Sequence, residues 1–322
     1  MSQLNTQRVL SRVVRRLCEP RGILVTDLGE GWILRLTRGP IVRHIHGYSF
    51  DINPAATHAI ACDKAATSDV LAEASVPRVP HRLFLHPEMA RYVRHPGNWA
   101  GMLQYFEACG HDVVVKDNAG TGGRDVYRAR TPVTLEEAVL RLFSAGHGVA
   151  LCPFVEVAQE TRLVLLDGHC QVAYAKDRLG VVGDGRRTVL ELIAARVASE
   201  GVSAELGRYL SSLDAEAAAL LREVPAPGEE RLLNWRHNLG QGASVRLLDH
   251  QEPALGAHLA LAGRAARALN LRFGSIDVVS VGGELLVLEV NSGVMMEALS
   301  GVAGGGEITD RIYSRALEAM FA

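Results

Sequence analysis

Residues 275–291 read SIDVVSVGGELLVLEVN, and this stretch decides the fold. Two runs rich in Val, Ile and Leu flank Gly282-Gly283, the pattern of two antiparallel strands joined by a two-residue turn. Asp277 lies in the first run. Glu289 and Asn291 lie two apart in the second, so they share one face of the strand. Pairing across the turn brings Asp277 alongside them. Three oxygen-bearing side chains amid apolar strand residues make a site for a hard cation. Magnesium takes such ligands and completes its octahedron with phosphate and water. A solvated sheet face with polar alternation is the competing reading, and the apolar character of both faces of these strands speaks against it.

Working outward, three more segments carry chemistry. VVVKDNAGTGGRDV (113–126) ends an apolar strand at Lys116 and continues into Gly120, Thr121, Gly122 and Gly123. Glycines let backbone N–H groups approach a phosphate closely, and Lys116 adds a point charge. A plain hairpin has the same look. ACDKAATSDVLAEASVPRVP (61–80) opens a helix at Asp63, with Lys64 in its first turn. A cation at that end opposes the helix dipole, so Lys64 serves either an anion or only solvent. LCPFVEVAQETRLVLLDG (151–168) is an apolar strand broken at Pro153, followed by Glu160 and a second strand ending in an Asp-Gly turn. Backbone groups freed at the break can read an adenine edge, and Glu160 can reach a ribose hydroxyl. Taken singly, these are ordinary strand-end polar groups.

The chain of 322 residues is 48% hydrophobic, enough for a large core and for two or three domains. A formal charge of −2 supplies no electrostatic reason for a nucleic-acid partner. No run approaches the ~20 apolar residues of a membrane span. Leu10, Val13, Val14 and Leu17 mark an amphipathic first helix. Five scattered Cys without a CxxC pair argue against a disulfide framework or a zinc site and suit a reducing cytoplasm. No GxGxxG follows the first strand, which disfavours a nicotinamide-dependent dehydrogenase.

The elements read as a small opening unit of short strands (22–26, 32–36, 40–45), then helices at 64–75, 88–94 and 98–109 with a break at Pro96-Gly97. Strands follow at 113–116, 126–127, 150–157 and 161–168, with a helix opened by Thr134-Leu-Glu-Glu137 between them. A second capping box at Thr188–Glu191 opens another helix. Residues 203–223 and 253–269 read as helical, and a last helix starts near Thr309. GVAGGGE (301–307) reads as a mobile loop or a linker. Strands mixed with helices and antiparallel hairpins indicate an α/β (α+β) protein.

The order of these segments resembles the ATP-grasp superfamily. The resemblance runs over residues 47–300: a DK helix, VVVK with its Gly loop, an apolar hinge, ExR, the GDG turn, NWRHNLGQGA (234–243), and IDV…LEVN. It is similar to ribosomal-protein-modifying glutamate ligases and to the ATP-grasp part of cyanophycin synthetases, with VVGDGRRTVLELI (181–193) especially like the latter. The resemblance implies two α+β subdomains clasping ATP, divided as a small N-terminal unit (1–55), a central lid subdomain (56–152) and a C-terminal subdomain with the metal site (153–322). It implies that Lys64 and Lys116 hold phosphates, that residues 120–123 close over them, and that Pro153, Phe154 and Val155 frame adenine while Glu160 binds ribose. Lys176 or Arg178 supplies a later phosphate contact. Arg236 and Asn238 face phosphate or the acyl substrate, and Asp277, Glu289 and Asn291 hold two Mg²⁺ ions, with Mn²⁺ as an alternative. Ser275 stands where many D-alanine ligases have an Arg, so Arg236 or Arg162 is expected to meet the oxyanion. The hinge reads Cys152-Pro153 where relatives carry an acidic residue.

The implied activity is ADP-forming ligation of an amino-acid or peptide carboxylate to an amine, in a cytoplasmic homodimer or homotetramer, with no nucleic-acid or membrane partner. A carboxylate–thiol ligase, a protein-modifying amino-acid ligase and a non-catalytic nucleotide-binding regulator remain as alternatives. His44, His46 and Tyr48 line an acceptor pocket or are structural.

Overall fold

The computed structural model describes residues 8–93, 99–200, 215–249 and 252–322. The break expected at Pro96-Gly97 and the first part of the helix expected at 203–223 lie outside them. Contacts divide the chain into two compact units, Met1–Tyr174 with Leu247–Ala322, and Ala175–Arg246.

In the larger unit, α1 (Val9–Cys18) buries Leu10, Val13, Val14 and Cys18, the stripe its periodicity predicts. Four short strands follow as an antiparallel sheet: β1 (Leu24–Leu28), β2 (Ile33–Arg38), β3 (Ile41–His46) and β4 (Ser49–Phe50). Next come α2 (Ala55–Ala61) and α3 (Lys64–Glu73). A second antiparallel sheet, in the order β5-β8-β6-β7, combines β5 (Arg82–Phe84), β6 (Val113–Asp117), β7 (Val126–Ala129) and β8 (Val149–Pro153). The same stretch of chain carries α4 (Pro87–Val93), α5 (Trp99–Ala108) and α6 (Pro132–Ser144). This sheet has its own core, built from Phe84, Phe106, Val113, Val115, Leu135, Leu142 and Leu151 among others.

The third sheet has five strands in the order β13-β10-β9-β14-β15: β9 (Gln159–Leu166), β10 (His169–Asp177), β13 (Ser244–Leu248), β14 (Phe273–Val281) and β15 (Glu284–Asn291). Its apolar face packs on α9 (Gly256–Ala268) and takes in Ala61, Leu71 and Val76 from α2, α3 and the turn after them. Residues 61–76 thus share the core of this sheet.

The hairpin read at 275–291 forms with β14 and β15 antiparallel. Gly282 and Gly283 both have positive φ, +57° and +88°, as a two-residue hairpin turn of this hand requires.

Four details differ from the sequence reading. The capping box of α6 is Thr131 with Thr134, one turn earlier than Thr134–Glu137, because Pro132 suits the first helical position, where its missing N–H costs nothing. β10 is a full strand beyond the Asp167-Gly168 turn, where none was assigned. The strand expected at 150–157 ends at Pro153. Gly304 to Gly306 form the N-cap and first turn of the last helix rather than a linker.

The chain closes with α10 (Glu297–Ser300) and α11 (Gly305–Phe321). α11 buries Ile312, Tyr313, Ala316, Leu317 and Met320. Its last carbonyls, at Met320 and Phe321, accept from Arg43 (2.6 Å) and Arg38 (2.9 Å) of the first sheet. These are orphan acceptors at the negative end of the helix dipole, so cations there both satisfy and stabilise them.

The smaller unit holds the end of β10, a two-stranded sheet of β11 (Gly180–Val182) and β12 (Glu230–Leu232), α7 (Val189–Glu200) and α8 (Ala215–Leu220). The Thr188–Glu191 capping box forms as read: Thr188 N–H donates to Glu191 Oε2 at 2.7 Å, and Glu191 N–H to Thr188 Oγ1 at 3.2 Å. Among the described residues no helix is long and apolar enough to cross a membrane.

Candidate functional site

Register builds the first half of the site. On β14 and β15, Asp277 pairs with Glu289 and Ser275 with Asn291, so these four side chains share one face. A bulge at Leu288 lets the remainder of the hairpin stay apolar toward the core. On the other side of β14, Arg162 of β9 stands opposite Asp277, with Glu160 two residues along on the same face. Arg162 spends its fork on Asp277, Nε to Oδ1 and an Nη to Oδ2, both at 2.7 Å. Asp277 is 1% exposed, so this is a buried bidentate ion pair. Arg162 therefore holds the candidate metal ligand, whereas the sequence reading considered it for an oxyanion.

The second half comes from α3 and the Gly-rich loop. Asp63 caps α3 through Ala66 N–H at 2.8 Å. Lys64 N–H donates to Asn118 O and Ala65 N–H to Asn118 Oδ1, both at 3.1 Å. The free donors of this helix terminus are thus spent on the loop, leaving the Lys64 side chain for an anion. Its Nζ donates to Gly120 O at 2.5 Å and lies 3.8 Å from Glu289 Oε1. Burial, opposed by Glu289, lowers the Lys64 pKa. Lys64 thereby ties the Gly loop to the carboxylate hairpin. Beyond Gly120 the loop turns through Gly122 and Gly123 at φ +70° and +66°, with Thr121 and Gly122 exposed at its tip.

Lys116 Nζ lies 3.1 Å from His81 Nε2. His81 Nδ1 sits 3.0 Å from Val79 O, so Nδ1 carries the proton and Nε2 accepts from the lysine. Burial, with Lys116 beside it, pushes the His81 pKa well below the usual value and keeps the ring neutral. Nothing in the local sequence marks His81 or Asn118 for these roles.

At the strand break, Phe154 N–H donates to Asp112 O at 2.9 Å. The Arg128 guanidinium lies 3.4 Å from the Phe154 ring centroid, and Arg128 is itself held bidentately by Asp112. One face of Phe154 is thereby covered. Pro153 and Val155 are half-buried, and Glu160 is 6% exposed.

The remaining candidates belong to the smaller unit. Lys176 is buried, and its carbonyl lies 2.7 Å from His237 Nδ1. Arg178 is half-buried. Arg236 stacks over Trp235 with 4.7 Å to the centroid. Asn238 Oδ1 accepts from Gly240 N–H at 2.8 Å.

The donor set suits magnesium. Among the described residues no three His, Cys, Asp or Glu side chains gather as a metal cage. The hairpin instead offers two carboxylates and one carboxamide. Asn291 Nδ2 is buried with no hydrogen-bond partner among the described residues; as a donor it suits an anionic oxygen, and the carboxamide Oδ1 is the atom that suits a cation. An all-oxygen site short of ligands is what a cation carrying its own phosphate and water takes.

No protein-family model matches the chain. By sequence, the chain is 24% identical over 276 residues to a cyanophycin synthetase of Trichormus variabilis, covering 81% of this chain and 29% of that protein. By structure, a bifunctional glutathione synthetase from Pasteurella multocida matches with TM-score 0.54 and 15% identity, over 97% of this chain and 45% of that one. A D-alanine–D-alanine ligase from Bacillus anthracis matches with TM-score 0.52 and 12% identity, over 84% of this chain and 69% of that one.

The fold is the ATP-grasp fold. The resemblance read from motif order thus holds in three dimensions, and the mixed α/β class with antiparallel sheets is the one expected. The chain spans under a third of the length of the cyanophycin synthetase it matches. Within the ATP-grasp frame, Lys64, Gly120, Glu289 and Asp277 are linked by direct contacts or cross-strand pairing.

Proposed function

We propose that the chain is an ATP-dependent, ADP-forming carboxylate–amine ligase acting on amino-acid or peptide substrates. The observation that carries this is the connected set in the larger unit: Lys64 reaches from the Gly120 loop to Glu289, directly across from Asp277. The similar B. anthracis ligase, whose structure has been solved complexed with ATP, supports the nucleotide half of the reading.

The chemistry follows from charge. A carboxylate is a poor electrophile, because an amine cannot expel oxide from it. One carboxylate oxygen attacks the γ-phosphorus, the bond to the β-phosphate bridging oxygen breaks, and ADP leaves. The amine nitrogen attacks the resulting acylphosphate, the C–O bond breaks, phosphate leaves with its electron pair, and an amide remains. The proton lost from nitrogen goes to phosphate or solvent. Lys64 and Lys116 meet the phosphate charge, and the N–H groups of residues 120–123 close over it. His81 holds Lys116 from behind without adding charge. Pro153, Phe154 and Val155 frame the adenine, with Glu160 on ribose. Lys176, Arg178, Arg236 and Asn238 are assigned to the phosphate and acyl side.

Asp277, Glu289 and Asn291 would hold Mg²⁺, which supplies Lewis-acid neutralisation of the β and γ phosphates. Arg162 keeps Asp277 oriented toward that position. The loop excludes water that would hydrolyse the acylphosphate.

The test is ADP release from Mg-ATP with amino acids and short peptides, singly and in pairs, followed by mass spectrometry. A specific pair yielding a condensed product, with Glu289→Ala silent, supports the ligase. ATP binding without turnover of any pair counts against it.

A further inference from the structure

A thiol, an imidazole and a hydroxyl meet where α2 gives way to α3 in the larger unit. His58 lies in α2 and Cys62 caps its C-terminus, four residues on, so both side chains stand on one side of the last turn. Cys62 Sγ is 3.8 Å from His58 Nε2 and 4.0 Å from Nδ1. The buried Ser292 brings its Oγ to 2.7 Å from His58 Nδ1 and 3.9 Å from Cys62 Sγ. Ser292 thus engages Nδ1 and leaves Nε2 for the thiol proton. Once the ring holds that proton, Nδ1–H donates to Ser292 Oγ and Nε2–H faces the thiolate.

The other four cysteines lack this setting. Cys62 is the one exposed thiol of the five. Burial pushes the Cys18 and Cys170 thiols up to about 11 and raises those of Cys109 and Cys152 as well. The thiolate is the nucleophile, so sulfur chemistry near neutral pH falls to Cys62. Its place in the chain gives that chemistry a consequence. Cys62 immediately precedes Asp63 and Lys64, and Ser292 immediately follows Asn291. A group attached at Sγ therefore stands beside both the α3 cap and the carboxylate hairpin.

We propose that Cys62 is a modification site for low-molecular-weight disulfides, with His58 as its base, and that the adduct blocks binding of Mg-ATP. The thiol proton passes to His58 Nε2 and Sγ attacks one sulfur of the disulfide. The S–S bond breaks, and the departing sulfur leaves with the electron pair and takes the proton. The Cys62 sulfur is oxidised and the departing one reduced, so no further oxidant enters. The blocking half rests on the nucleotide reading of Lys64 and the hairpin; adduct formation does not.

The experiment treats the intact chain with glutathione disulfide at pH 7. Intact mass and peptide mapping locate the adduct, and calorimetry reads Mg-ATP affinity before and after. The expected result is one adduct, at Cys62, with Mg-ATP affinity lowered about ten-fold or more and restored by dithiothreitol. C62S takes no adduct and keeps the affinity of the untreated parent. H58Q reacts about ten-fold slower at pH 7, where an ordinary thiol is only a few per cent ionised, and matches the parent above about pH 9.5, where a thiol ionises without a base. An adduct that forms first at another cysteine, or an H58Q rate equal to the parent's at pH 7, overturns the site. A Cys62 adduct that leaves Mg-ATP affinity unchanged overturns the block. A chain that takes the adduct at Cys62 but never binds Mg-ATP refutes the nucleotide reading and keeps the site. One that binds Mg-ATP and takes no adduct refutes the site alone.

Discussion

The residue that organises the site is Arg162. It closes both oxygens of a carboxylate that is 1% exposed, and removing one member of such a pair strands a buried charge. Arg162→Met is expected to cost about 3–5 kcal/mol in urea unfolding, and Asp277→Asn with Arg162→Met together less than the sum. His81 makes a pH prediction. Its folded pKa is depressed by burial and by Lys116, so below the ordinary histidine range the unfolded chain binds a proton that the folded chain does not. Stability is then full above about pH 6.5 and falls as pH drops through the folded value. His81→Gln, which cannot titrate, should show a flatter acid limb in unfolding measured between about pH 7 and 4.5. At this scale the sequence is legible where side chains alternate on one strand: Glu289 and Asn291 share a face because they are two apart, and Asp277 joins them across a two-residue turn. It names Arg162 only for an oxyanion and is silent on its pairing with Asp277, which lies 115 residues away and is set by the register of β9 against β14. His81 is silent for the same reason, since its role comes from Lys116, 35 residues on.

At the scale of elements, the N-terminus of α3 is the joint between helix and Gly loop. Asn118 supplies both of its oxygens to the first two N–H groups of the helix and is itself 7% exposed. Asn118→Ala should therefore destabilise by about 1–3 kcal/mol. It should also weaken ATP binding, read by titration calorimetry, because Lys64 begins the same turn. Asp63→Ala removes the other cap and should cost about 1 kcal/mol. Elements with a strong local signature, such as the amphipathic α1 and the Thr188–Glu191 box, are readable in advance. β10 is not: its HCQVAYAKD run is bounded by polar residues and carries a buried Lys176, so only its place between β9 and β13 makes it a strand. The cap of α6 is misplaced by one turn in the sequence because two threonines, Thr131 and Thr134, both suit the role and Pro132 decides between them.

At the scale of the whole molecule, the two ends of the chain meet. Arg21, Arg38 and Arg43 from the opening segment bond to Ser314, Phe321 and Met320 of α11. Leu317 is 1% exposed there, and Leu317→Ala should cost about 2–5 kcal/mol, measured by chemical unfolding. The first 55 residues read as a small opening unit in sequence, since nothing local ties Arg43 and Arg38 to carbonyls that lie 277 and 283 residues further on. The central claim is that a carboxylate oxygen is phosphorylated on the way to an amide. The direct measurement is to supply the carboxylate substrate labelled with oxygen-18, with Mg-ATP and the amine, and to weigh the phosphate released. The account predicts one labelled oxygen in each phosphate, and no release with Glu289→Ala. Unlabelled phosphate released in step with ADP would contradict it, because ATP would then be hydrolysed by water without passing through an acylphosphate.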